Sequence, residues 1–156
     1  MADIGIMQGA SKASKMLDAF VLTHSVCAIF FATVALFFAS TFGLFSTEPL
    51  PDIALDSIRW SSPFIYGFGI LAALSLTMEA NARFKIACMY AFCLGLAVPI
   101  GCYAQSTGRW NVFHLAFIVL FASLSGGYVW FTQQPHAFDR SEKDNDEKDP
   151  PLMSRK

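Results

Sequence analysis

Residues 19–45 contain no Lys, Arg, Asp or Glu, and His24 is the one histidine among them. Coiled at about 1.5 Å per residue, such a stretch exceeds the roughly 30 Å hydrocarbon thickness of a bilayer. It has to leave water, and a soluble domain of ordinary size offers no core long enough to take it. Three further apolar stretches follow, at residues 63–78, 86–104 and 112–132. With 54% hydrophobic and 15% charged residues, most of the chain is too apolar for intrinsic disorder. The four cysteines lie in apolar segments rather than polar loops, which argues against a disulfide-stapled secreted scaffold.

Lipid offers the backbone no hydrogen bonds, and runs of this length fit helices rather than the roughly ten-residue strands of a barrel. The expected fold is all-α: a polytopic integral membrane four-helix bundle with spans at 19–45, 63–78, 86–104 and 112–132. A segment 1–18 precedes the bundle and a disordered polar tail, 133–156, follows it. Ser61-Ser62-Pro63 reads as a helix start, with a serine cap and proline at the first helical position. Residues 51–58 read as a short amphipathic helix lying on the membrane surface, and Pro99 predicts a kink in the third span. The connections are short, so neighbouring helices are expected to run antiparallel.

Orientation follows from the basic residues near the span ends. Lys12, Lys15, Arg83, Lys85, Arg140, Lys143 and Lys148 fall on one side, and only Arg59 and Arg109 on the other. This bias places both termini in the cytoplasm. Trp60, Trp110 and Trp130 fall at expected span ends, the level at which an indole keeps one edge wet.

Helix association in lipid depends on close backbone approach at small residues. The expected seams are Ala28, Ala32, Ala35, Ala39 and Gly43 in the first span, Gly69 and Ala73 in the second, Ala91 and Gly95 in the third, and Ser123 and Gly127 in the fourth.

Candidate chemistry is sparse. His24 and His114 would lie near opposite faces of the membrane, too far apart to share a metal ion. Glu79 and Arg83, four apart, suit a helical ion pair at the cytoplasmic turn. Cys88, three residues beyond Lys85, is a candidate palmitoylation site. In the tail, Ser141 and residues 150–153 are weak modification and docking patterns. No nucleophile constellation, acid pair or complete metal set stands out, so no catalytic residue or cofactor is assigned. The net charge of −1 offers no basic face for nucleic acid. The expectation is a non-enzymatic scaffold or accessory subunit of a membrane complex, in contact with lipid and a membrane-protein partner or a second copy of itself. The alternatives are a small transporter or channel using His24 and Glu79, and a redox subunit binding quinone or lipid.

Overall fold

The computed structural model describes residues 2–139, with side chains from Lys12 onward. Four α-helices dominate: α1 (Ala2–Phe37), α2 (Asp52–Ser75), α3 (Ala80–Ser106) and α4 (Val112–Thr132). Two 3-10 turns, Ala39–Phe45 and Pro135–Ala137, complete the fold, and no strand occurs among the described residues. Lys12–Phe37, α3 and α4 are long and apolar enough to cross a membrane. The protein is therefore all-helical and multi-pass. α2 differs because its opening turns carry Asp52, Asp56 and Arg59. Its charge-free part, residues 60–75, reaches roughly 24 Å at about 1.5 Å per residue.

The apolar stretch 19–45 divides at Phe38, whose backbone leaves the helical region (φ −129°, ψ 40°). Residues 12–37 already extend roughly 39 Å as a helix, more than a bilayer's thickness. The chain must turn there, and residues 39–45 wind back as a 3-10 turn instead of continuing the span. α2 starts at Asp52, so residues 51–58 are continuous with it rather than a separate surface helix. Pro51 precedes it in extended conformation, and Asp52 sits in the first turn, where negative charge is favoured. Pro63 lies inside α2 rather than at its start. Nearby, the Ser61 and Ser62 hydroxyls donate to the Ile58 carbonyl at 2.7 and 3.4 Å.

α3 begins at Ala80, ahead of the expected residue 86. α4 has the expected limits, and the Asn111 side chain caps it by accepting the Phe113 N–H at 2.9 Å. Residues 133–139, expected in the tail, are folded. Pro135–Ala137 turns the chain so that Ala137 and Phe138 are buried, with the Phe138 ring edge-on to Phe84 at 5.4 Å. The rest of the expected tail, with Ser141 and residues 150–153, lies outside the described residues.

The helices pack as two hairpins. α1 and α2 approach closely, as do α3 and α4, while the backbones of α2 and α3 meet sparingly. In the first hairpin Ala32, Ala35 and Ala39 are buried and Ala28 is half-buried. A Cβ on Gly69 would come within 2.9 Å of Ile29 Cγ1 and 3.2 Å of both the Ala28 Cβ and the Ser25 carbonyl oxygen. The Ser25 hydroxyl donates to the Gly69 carbonyl at 2.8 Å. Ala73 is half-buried beside the fully buried Ala72. In the second hairpin the Ser125 hydroxyl donates to the Ala91 carbonyl at 2.8 Å, and Gly95 faces the same serine. Gly127 instead receives the Phe20 ring of α1. Two expected seam residues lie elsewhere. Gly43 falls beyond the end of α1 with open space around it, and Ser123 is exposed, roughly 200° around α4 from Ser125 at 3.6 residues per turn.

Candidate ligand cavity between the hairpins

Small residues close each hairpin, but large rings meet between the hairpins. Phe20 packs on Tyr128 at 5.0 Å, and Phe31 on Phe117 at 5.3 Å. Between these rings lies a cavity of about 470 Å³, within the range of roughly 300–1,000 Å³ typical of small-molecule sites. Its wall is mainly aromatic and aliphatic, and neither Lys, Arg, Asp nor Glu lines it.

One end is bounded by the loops between α1 and α2 and between α3 and α4, which are stitched to one another. The Asn111 N–H donates to the Phe45 carbonyl at 2.9 Å and the Thr47 N–H to the Arg109 carbonyl at 3.0 Å, around an antiparallel bridge between Ser46 and Trp110. The Asn111 side-chain amide also donates to the Leu44 and Ser46 carbonyls. This holds Phe45 edge-on to Phe117 at 4.6 Å. His114 lines this end, stacked on Trp110 at 4.8 Å. Gln105 Nε2 donates to the Trp110 carbonyl at 3.2 Å, which turns Gln105 Oε1 toward His114 Nδ1 at 2.9 Å. That arrangement puts the imidazole proton on Nδ1 and leaves Nε2 as an acceptor.

At the opposite end His24 is buried, with Nδ1 2.7 Å from the Tyr128 hydroxyl. Tyr128 stacks on Tyr90 at 5.2 Å, and His24 meets Tyr90 edge-on at 4.9 Å. The Tyr90 hydroxyl donates to the Phe68 carbonyl, tying α3 to α2. A buried tyrosine hydroxyl needs an acceptor for its proton. His24 Nδ1 is the partner of Tyr128, so Tyr128 donates and the His24 proton sits on Nε2. His24 and Tyr90 line the cavity, and His24 Nε2–H is the imidazole donor that Tyr128 does not use.

Next to this cluster, Arg83 of α3 is 3% exposed and pairs with Asp18 of α1. Arg83 shares the buried face of α3 with Ala87 and Tyr90, and so reaches α1 rather than the expected Glu79. Glu79 is exposed at the N-cap of α3 and does not line the cavity, so the structure does not bring it together with His24. Cys88 is exposed on α3, whereas Cys27 and Cys93 line the cavity. His24 and His114 flank the same space, but the fourteen residues from His114 to Tyr128 separate its ends by roughly 20 Å along α4. No group of three potential metal ligands comes together among the described residues.

Tyr90, Tyr128, Gln105 and Trp110 were not singled out as a site by sequence pattern. The available signal was a pair of tyrosines within apolar runs, whose hydroxyls must find partners in the bundle. Comparison with protein-family models, curated proteins and solved structures finds no match to this chain.

Proposed function

We propose that this chain is a non-enzymatic four-span membrane protein, with both termini cytoplasmic, that holds one lipophilic molecule between its hairpins and serves as an accessory subunit of a membrane complex. The observation that carries the reading is the cavity. Its volume is that of a small-molecule site, and a lipophile from the bilayer suits a partly open pocket whose wall carries no charge. The stitched loops favour entry from the lipid rather than from the outer water, between the two hairpins, whose backbones meet sparingly.

In this reading α2 is the fourth crossing, its charged opening turns standing in the outer interface. A channel lined by His24 and Glu79 is less favoured because those residues lie apart. The test is native mass spectrometry after extraction in mild detergent, comparing the wild type with Leu94→Trp, which fills the cavity. A small molecule retained by the wild type and depleted in the variant is expected, with partner subunits at fixed stoichiometry. A wild type that retains no small molecule removes the reading.

A further inference from the structure

We infer that the occupant of the cavity is a neutral lipophile with one carbonyl-type acceptor, oriented so that this oxygen accepts a hydrogen bond from His24 Nε2. The inference rests on the cavity being a lipophile site and specifies its chemistry. An atom packed at liquid density takes roughly 30 Å³, so about 470 Å³ houses on the order of fifteen heavy atoms. That is one alkyl or prenyl chain or a small ring system. No basic side chain lines the wall, and an uncompensated carboxylate or phosphate would carry its full desolvation cost into it. The polar end must therefore be uncharged.

Hydrogen-bond direction decides the rest. Nδ1 of His24 is occupied by Tyr128, which leaves the Nε2–H of a buried imidazole as a donor for which the structure shows no partner. His114 at the far end has its lone pair on Nε2 instead, because its Nδ1–H donates to Gln105 Oε1. A carbonyl is thus matched by the inner end and not by the outer one. The direction is built into the scaffold, since Tyr90 and Tyr128 hold the inner ring while Gln105 and Trp110 hold the outer.

The test uses Trp110, which lines the cavity, as the reporter in a Trp60→Phe/Trp130→Phe background. Three probes of nearly equal size are titrated as mole fractions of the same maltoside micelle: methyl tridecyl ketone, hexadecane and pentadecanoate. The ketone is expected to bind about fivefold more tightly than hexadecane, the value of one net hydrogen bond, and pentadecanoate more weakly than the ketone. His24→Leu/Tyr128→Phe, which leaves no freed hydroxyl, should bind both neutral probes equally while keeping hexadecane binding, which reports an intact cavity. His24→Gln, which keeps a donor, should restore the preference for the ketone. Equal binding of ketone and hexadecane by the parent protein overturns the assignment, as does tighter binding of pentadecanoate or a ketone preference that survives in His24→Leu/Tyr128→Phe. If no probe reaches Trp110, the cavity reading itself fails.

Discussion

Removing Asp18 should damage the protein far more than removing the arginine it neutralises. The side chain of Arg83 is 3% exposed, whereas that of Asp18 is 33% exposed. Asp18→Ala leaves a guanidinium buried without its carboxylate, and breaking such a pair typically costs about 3–5 kcal/mol. Arg83 lies in the first turn of α3, so its long side chain can recover part of this by swinging toward the interface. The expected loss is then about 2–3 kcal/mol. Arg83→Met is different. It replaces the buried charge with an apolar chain and leaves a carboxylate that already reaches water, so its expected cost is below about 1 kcal/mol. Arg83 Nη1 is buried without a hydrogen-bond partner, which lowers the cost of losing the arginine further. Reversible unfolding in mixed maltoside and dodecyl sulfate micelles, followed by near-ultraviolet circular dichroism, measures both. Asp18→Ala proving no worse than Arg83→Met would refute the reasoning from a desolvated charge.

Asn111→Ala removes the α4 cap and two donations to the Leu44 and Ser46 carbonyls, and should cost about 1–2 kcal/mol, with faster amide exchange at Thr47 and at position 111 than elsewhere in the fold. Gly69→Val should overpack the α1–α2 seam by about 1–3 kcal/mol in the same unfolding assay, whereas Gly67→Val, where a Cβ meets open space, should cost less than half as much. For topology, in a cysteine-free background Ser57→Cys should react with an impermeant maleimide from outside intact cells, and Asn81→Cys only after permeabilisation. Labelling of both from the same side would show that α2 does not cross.

What the sequence made legible follows the reach of each physical signal. Residues 112–132 combine uninterrupted apolarity with an asparagine cap directly before them, so both the type and the limits of α4 could be read. Hydropathy was blind to the turn at Phe38 because residues 39–45 are as apolar as the helix they follow, and only the exhausted bilayer thickness marks the break. Pro63 misled because proline suits a first turn, yet here it sits within α2, preceded by two serines bonded to the Ile58 carbonyl. The Glu79–Arg83 spacing was a local cue outweighed by a distant one, since Arg83 finds Asp18 sixty-five positions away. His24 was recognisable as an unusual residue for a span. Its tyrosine partner 104 positions along the chain was not.

The placement of the cavity follows from where the hairpins are tied to each other. Near the His24 end three polar links cross between them: Asp18 to Arg83, His24 to Tyr128, and Tyr90 to the Phe68 carbonyl. At the His114 end the stitched loops do the same through Phe45, Thr47, Arg109 and Asn111. Between these ends the polar links run within a hairpin, as from Thr33 to Tyr66 and from Ser125 to the Ala91 carbonyl. Lipid supplies no hydrophobic force to squeeze the middle shut, because chains of the bilayer solvate an apolar wall as well as protein does. Phe31 and Phe117 then act as spacers, keeping the hairpins about one ring contact apart. Tight seams within each hairpin and ties at both ends thus leave an apolar gap at mid-height, with a hydrogen-bond donor at one end and an acceptor at the other.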